Sequence, residues 1–215
     1  MRPGEEPPRK TANSTYPSSG LGYYCDLQSL HSEDAITWSV FGTVARAAKD
    51  QRKAWVFDFL RLIGLDGIVS PANAEISLWR RVPHPDEGHV PGGPEIDFST
   101  LTENAVILGE AKWKSGVGKA QGKHIDKDQI QLRREFLEKY GHMLFPGCLH
   151  RIVVGVSLVD GAFNQTMEGE VTFTTAVWAD ACRLQAHPLH EEVERYYEWK
   201  VRNSQLEERA PGTAL

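Results

Sequence analysis

Residues 105–114 read AVILGEAKWK, an apolar run that ends in a glutamate and a lysine two positions apart. Side chains alternate between the two faces of a β-strand, so Glu110 and Lys112 project from the same face. Because burial of a charge is costly unless the charge is paired, a buried strand with this ending indicates either an ion pair or a functional site.

A second strand at 95–100 precedes the stretch 105–114 and predicts a β-hairpin. With a two-residue turn at 103–104, Asp97 lies directly opposite Glu110. Opposed Cβ atoms are about 4.5–5.5 Å apart, so two carboxylates in these positions repel each other. A divalent cation between them removes the repulsion, and Mg²⁺ takes carboxylate oxygens as ligands.

An alternative arrangement of the same hairpin needs no metal ion. Glu95 lies opposite Lys112 in this register and could form a cross-strand salt bridge with it, while Asp97 faces solvent. The sequence therefore leaves both a metal site and a structural ion pair open at this end of the hairpin.

Hydrophobic periodicity in the remainder predicts one α/β domain with a mixed sheet flanked by helices. The domain spans residues 23–208, between a flexible N-terminal tail at 1–22 and a C-terminal tail at 209–215. Its elements besides the hairpin are a helix with Ser32 as N-cap, a helix at 54–64 that ends at Gly64, a strand at 74–82, a helix at 124–140 capped by Gly141, strands at 151–159 and 170–178, and a helix at 187–208.

The stretch PEIDFSTLTENAVILGEAKWKSG (94–116) resembles the core motif of the PD-(D/E)XK nuclease superfamily, which is restriction-endonuclease-like. Asp97 matches the first-motif aspartate, although Ile96 and not proline precedes it, and the residues Glu110, Ala111 and Lys112 match (D/E)XK. The order of elements over about residues 30–180 resembles the αβββαβ core of that fold. The resemblance implies a nuclease that hydrolyses DNA phosphodiester bonds, in restriction or genome defence.

The resemblance also implies roles for the motif residues. Asp97, Glu110 and the Ala111 carbonyl would bind Mg²⁺, for which Mn²⁺ can substitute, and Lys112 would orient or activate the attacking water. Glu33 resembles an additional glutamate on the first helix of many members. Glu33 is otherwise explained as a first-turn acid that the helix dipole favours.

Two further groups of residues are candidates for substrate contacts. Gln129 lies where many relatives carry a glutamine or tyrosine near the active site, and Arg133 shares its helix face at i+4. The candidates for binding the nucleic-acid backbone are Lys114, Lys119, Lys123 and Arg133. A solvated helix face and loop explain the same residues equally well.

The charge distribution fits either a phosphate-bearing partner or a solvated loop and helix face, and the resemblance implies that the partner is DNA. The net charge is −5, yet residues 112–134 contain seven basic and two acidic residues. A basic strip on an acidic protein can meet phosphate. Because one active site cuts one strand, a double-strand cut would need a dimer or two visits, and a homodimer or a partner subunit is a further expectation.

The remaining composition predicts a cytoplasmic protein without a membrane partner. No apolar run approaches the roughly 20 residues that span a bilayer, and the N-terminus lacks the apolar core of a secretory signal. The three cysteines are far apart and in no metal-binding spacing. The alternatives to a nuclease are a catalytically inactive nucleic-acid-binding module of the same fold and an interaction protein with a chance hairpin.

Overall fold

The structure is a computed structural model that describes residues 33–85, 93–113, 127–163 and 169–204. A five-stranded mixed sheet forms its centre, and helices flank the sheet. The strands lie side by side in chain order: β1 (Glu75–Arg81), β2 (Glu95–Leu101), β3 (Ala105–Ala111), β4 (His150–Ser157) and β5 (Val171–Val177). Strands β1 to β3 are antiparallel, and β3 to β5 are parallel. The predicted α/β class with a mixed sheet is confirmed.

The predicted helices occur in the predicted order, and one short helix that was not predicted follows β5. The first helix consists of three consecutive segments: α1 (Asp34–Thr37), a π-helical segment (Trp38–Gly42) and α2 (Thr43–Ala45). The later helices are α3 (Lys49–Leu62), α4 (Gln129–Leu144), α5 (Trp178–Ala181) and α6 (His190–Asn203). Among the described residues, no helix combines the length and the apolar character needed to cross a membrane.

Gly64 ends α3, as the sequence predicts. Its φ of +73° is the left-handed conformation that favours glycine after a helix. The Gly64 N–H donates to the Arg61 carbonyl at 3.2 Å, and the Leu65 N–H donates to the Leu60 carbonyl at 2.8 Å. These two bonds are the pair found in a Schellman motif, so local chemistry alone determines this helix end.

The prediction that Gly141 caps the helix after the motif is wrong. Gly141 lies inside α4, which continues to Leu144. A Cβ at Gly141 would come within 2.7 Å of Arg151 Cδ, so the glycine serves close packing against β4. The start of α4 also lies later than predicted, because Asp128 accepts a hydrogen bond from the Gln131 N–H and Gln131 returns one to the Asp128 N–H in a capping box.

Two apolar clusters hold the sheet between the helices. On one face, the first helix, α3 and α6 pack against the sheet, and the Phe41 and Phe98 rings stack with centroids 3.7 Å apart. On the other face, α4 packs through residues such as Phe136 against Val153. Strand β3 is covered on both faces and buried along its whole length, as its continuous apolar sequence indicates.

The predicted hairpin register is confirmed. Strands β2 and β3 pair from Leu101 opposite Val106 to Phe98 opposite Gly109. The next residues along the two strands are Asp97 and Glu110. A Cβ on Gly109 would lie 2.2 Å from the Phe98 ring, so glycine at this position lets the aromatic ring lie against β3.

His187 ties the segment before α6 to the first helix. Its Nε2 donates to the Val40 carbonyl at 3.0 Å, and its Nδ1 accepts a hydrogen bond from the Leu189 N–H at 3.0 Å. Both contacts together require the neutral ring with its proton on Nε2. Burial lowers the pKa of His187, so the folded protein resists protonation of this ring.

We expect this histidine to make stability fall in mild acid. The unfolded chain, in which the histidine pKa is about 6.5, binds the proton more readily than the folded one. The contribution of His187 is therefore complete above that pH and is lost as the pH falls through the lowered pKa of the folded state. In urea titrations at about pH 7.5 and 5, the free energy of unfolding of His187→Asn should change less than that of the wild-type protein. His142→Asn, at a side chain that is 69% exposed, is the control and should behave as wild type. An equal pH response of all three proteins would contradict this assignment.

Candidate functional site

Charged side chains from four elements converge at the carboxyl end of β3. Strand β3 contributes Glu110, and Lys112 is the first residue after the strand. Strand β2 contributes Asp97, the first turns of α4 contribute Arg133, and the start of the first helix contributes Glu33. The parallel pairing of β3 with β4 requires a crossover, and α4 in that crossover begins close to the end of β3.

Glu110 is the centre of a buried ion cluster. Its side chain is 1% exposed, and each carboxylate oxygen contacts a different cation. Lys112 Nζ lies 2.5 Å from Oε1. Arg133 Nη2 contacts Oε2 and lies 4.0 Å from Asp97 Oδ2. The two carboxylates that the sequence places on neighbouring strands therefore flank one guanidinium nitrogen.

Asp97 is held beside Glu110 by the backbone of β3. Its Oδ2 accepts a hydrogen bond from the Ala111 N–H at 2.7 Å. Burial, and then the negative charge of Glu110, raise the pKa of Asp97 well above its ordinary value, and the charges of Arg133 and Lys112 act in the opposite direction. The Asp97 side chain remains 22% exposed, so water or an ion can reach it from outside.

The backbone of Lys112 is fixed on both sides. Its N–H donates to the Val156 carbonyl at 2.8 Å, and its carbonyl accepts a hydrogen bond from Trp178 Nε1 at 2.8 Å. Sequence reasoning missed Trp178 as a supporting residue. The signal was its place directly after β5, since the carboxyl ends of parallel strands meet at the same edge of a sheet.

Arg133 lies inside the cluster and not on a helix surface. Its side chain is fully buried, and besides Glu110 it binds two backbone carbonyls, those of Glu95 at 2.7 Å and Gln129 at 2.9 Å. The sequence predicts that this arginine binds the nucleic-acid backbone. A phosphate contact by Arg133 remains a prediction. In this structure its guanidinium group forms an ion pair with Glu110.

Lys112 does not form the alternative salt bridge with Glu95 in this structure. The paired residues of β2 and β3 end at Phe98 and Gly109. Glu95 Oε2 lies 3.3 Å from Arg81 Nη2 on β1, whereas Lys112 contacts Glu110. The ammonium group of Lys112 is thus directed to the motif carboxylate.

Glu33 belongs to the same electrostatic cluster. It occupies the N-cap position of α1, one residue after the predicted Ser32, which lies outside the described residues. Its side chain forms no capping hydrogen bond. Burial raises the pKa of Glu33, while the positive charge of Lys112 lowers it and the negative charge of Glu110 raises it.

Of the other predicted contact residues, one glutamine lies within the described residues and three lysines do not. Gln129 begins α4, one turn before Arg133, and its side-chain Oε1 is buried without a hydrogen-bond partner in the described part of the protein. Lys114, Lys119 and Lys123 lie outside the described residues. Their phosphate contacts remain predictions.

The donor set at this site fits a hard divalent cation. Within residues 33–85, 93–113, 127–163 and 169–204, neither oxygen of Glu110 accepts a hydrogen bond of normal geometry. No group of three or more histidine, cysteine, aspartate or glutamate side chains suited to a metal ion occurs in those ranges. Mg²⁺ often uses only one or two carboxylates and keeps several waters, so Asp97 and Glu110 suffice. Lys112 and Arg133 would compete with such an ion for the same oxygens.

No known family model matches this chain, and no curated protein matches it. The interpretation of the site therefore depends on its own residues and geometry.

Proposed function

We propose that this protein is a metal-dependent nuclease that hydrolyses phosphodiester bonds in DNA. One observation carries the proposal: Asp97 and Glu110 flank a common point at the end of β3, and Lys112 contacts Glu110 there. The site thus combines oxygen ligands for a divalent ion with an ammonium group beside them. Phosphodiester hydrolysis needs both, because negative charge grows on the phosphate while water attacks it.

Membership of the PD-(D/E)XK superfamily is part of the same proposal. The helix, three antiparallel strands, crossover helix and parallel strand occur in the αβββαβ order of that core. The hairpin register that brings the first-motif aspartate next to the (D/E)XK glutamate also supports it.

The residues of the site would divide the work between them. Asp97 and Glu110, with the Ala111 carbonyl, would hold Mg²⁺, which lowers the pKa of a bound water and neutralises charge on the phosphate. Lys112, with its backbone fixed at both ends, would orient the attacking water against the phosphorus. Glu33 would add a carboxylate from the first helix.

The proposal is tested by incubating the purified chain with plasmid, linear duplex and single-stranded DNA, and with RNA. We expect cleavage of DNA with Mg²⁺ or Mn²⁺ and none with EDTA. Nicking, linearisation or shortening from an end would identify the mode of action. Cleavage that EDTA leaves unchanged, or an absence of both cleavage and calorimetric metal binding, would overturn the proposal. DNA binding without cleavage would instead support the inactive binding module.

A further inference from the structure

Trp79 has a backbone conformation that a tryptophan rarely adopts. Its φ is +51°, in the left-handed region that favours glycine or asparagine. The residue lies in β1 next to Asp97 of the candidate site, because pairing of β1 with β2 continues on both sides of it. The flanking pairs are Leu78–Phe98 and Arg80–Ile96. Strain of this kind persists only where the surrounding structure maintains it, and it clusters at functional sites.

Trp79 is one half of an aromatic pair. Its ring stacks with that of Trp38, in the π-helical segment, with centroids 5.9 Å apart and an interplanar angle of 10°. Arg46 Cζ lies 5.1 Å from the centroid of the Trp38 ring. A Cβ at Gly42 would come within 2.5 Å of Trp38 Cε3, so the glycine lets this ring lie directly on the helix backbone. The pair is therefore fixed in position.

The aromatic pair does not fill the core. Neither Trp38 nor Trp79 belongs to the two apolar clusters that hold the sheet, and both side chains are partly exposed. Among the described strands, β1 forms one edge of the sheet. Arg80 lies on this edge strand and Arg46 caps the end of the first helix, and both are exposed. Core packing thus does not explain why Trp79 keeps its strained conformation.

We propose that Trp38 and Trp79 form a stacking subsite for an unpaired nucleobase next to the catalytic carboxylates. Arg46 and Arg80 would contact the phosphates of the same strand. Nucleobases stack on tryptophan rings irrespective of sequence, and exposed arginines beside such rings attract the backbone. A base within a duplex is already stacked and cannot reach the rings. This inference depends on the proposed function and specifies its substrate as DNA with unpaired bases.

The test compares binding of single-stranded and duplex DNA of one sequence, by fluorescence anisotropy in EDTA so that no cleavage occurs. Trp79→Asn removes the ring and leaves a residue that tolerates positive φ. We expect its affinity for single-stranded DNA to fall about 5- to 150-fold, the range for loss of one stacked base. Its affinity for the duplex and its midpoint of urea unfolding should not fall.

The stacked pair of Tyr196 and Trp199 on α6 provides a matched control. Its centroids are 6.0 Å apart, and Trp199 is 47% exposed. Trp199→Asn should leave both DNA affinities unchanged. If Trp79→Asn does not fold, Trp79→Gly tests the same point, since glycine adopts the same φ.

The outcomes separate this inference from the proposed function. If DNA cleavage is metal-dependent but Trp79→Asn binds single-stranded DNA as tightly as the wild-type protein, only the stacking subsite is overturned. An equal loss of affinity for both forms of DNA, or a loss of stability without a change in binding, would assign Trp79 a structural role and also overturn it. Absence of any DNA binding or cleavage by the wild-type protein would remove the proposed function and this inference with it.

Discussion

Replacing Lys112 by methionine is expected to slow DNA cleavage about 10²- to 10⁴-fold, the usual contribution of a positioned acid–base group. The ammonium group lies 2.5 Å from Glu110 Oε1, and only 10% of the side chain is exposed, so the variant loses a charge directly beside a proposed metal ligand. Methionine keeps an unbranched side chain, one heavy atom shorter, and removes the charge. Single-turnover cleavage at saturating Mn²⁺ gives the rate, because it separates the chemical step from product release.

Metal binding by Lys112→Met distinguishes a catalytic defect from loss of the site. Removal of a neighbouring cation should leave the affinity for Mn²⁺ unchanged or higher, as calorimetry would show. Lys139→Met is the control, because the Lys139 ammonium group binds the Pro85 carbonyl at 2.6 Å and not the carboxylate cluster. Its cleavage rate should remain that of wild type. A folded Lys112→Met protein that cleaves as fast as wild type would contradict the role of Lys112.

The hairpin could be predicted because local rules determine it. Alternation of side chains puts Glu110 and Lys112 on one face, and a short turn leaves few registers for Asp97. The structure confirms that register from Phe98 to Leu101. The same applies to Gly64, whose conformation is set within a few residues of chain.

Features that depend on distant parts of the chain could not be predicted in this way. Arg133 looks like one more residue of a basic strip, and only the placement of α4 against the end of β3 shows that it neutralises a buried glutamate. Gly141 has the residue type of a helix cap, yet Arg151 on β4 takes the space beside it. The conformation of Trp79 breaks the alternation on which strand prediction depends.

The burial of Glu110 itself indicates that a cation must lie near it. Burial of a charged carboxylate, here 1% exposed, is costly unless the charge is paired, and one lysine contacts only one of its oxygens. The second partner was therefore required by the chemistry of the strand, although its identity was not readable from the motif. This requirement leads to the largest effect on stability that we expect.

Arg133→Met should destabilise the protein by about 3–5 kcal/mol, the usual result of removing one partner of a buried ion pair. The guanidinium group is fully buried and contacts Glu110 Oε2, so its loss leaves that buried oxygen without its counter-charge. Urea unfolding in EDTA measures the loss. Arg134→Met is the matched control, because Arg134 Nε lies 3.5 Å from Glu138 Oε1 and both side chains are partly exposed. Its effect should stay below about 1 kcal/mol.

Addition of Mn²⁺ should then restore part of the stability that Arg133→Met has lost. A ligand that binds only the folded state stabilises it in proportion to its affinity, and an ion at Asp97 and Glu110 no longer competes with the guanidinium group. The increase in the free energy of unfolding on adding Mn²⁺ should therefore be larger for Arg133→Met than for wild type or Arg134→Met. A variant that folds only with Mn²⁺ present would be the extreme form of the same result. An equal response of all three proteins would show that the ion and Arg133 do not share the Glu110 carboxylate.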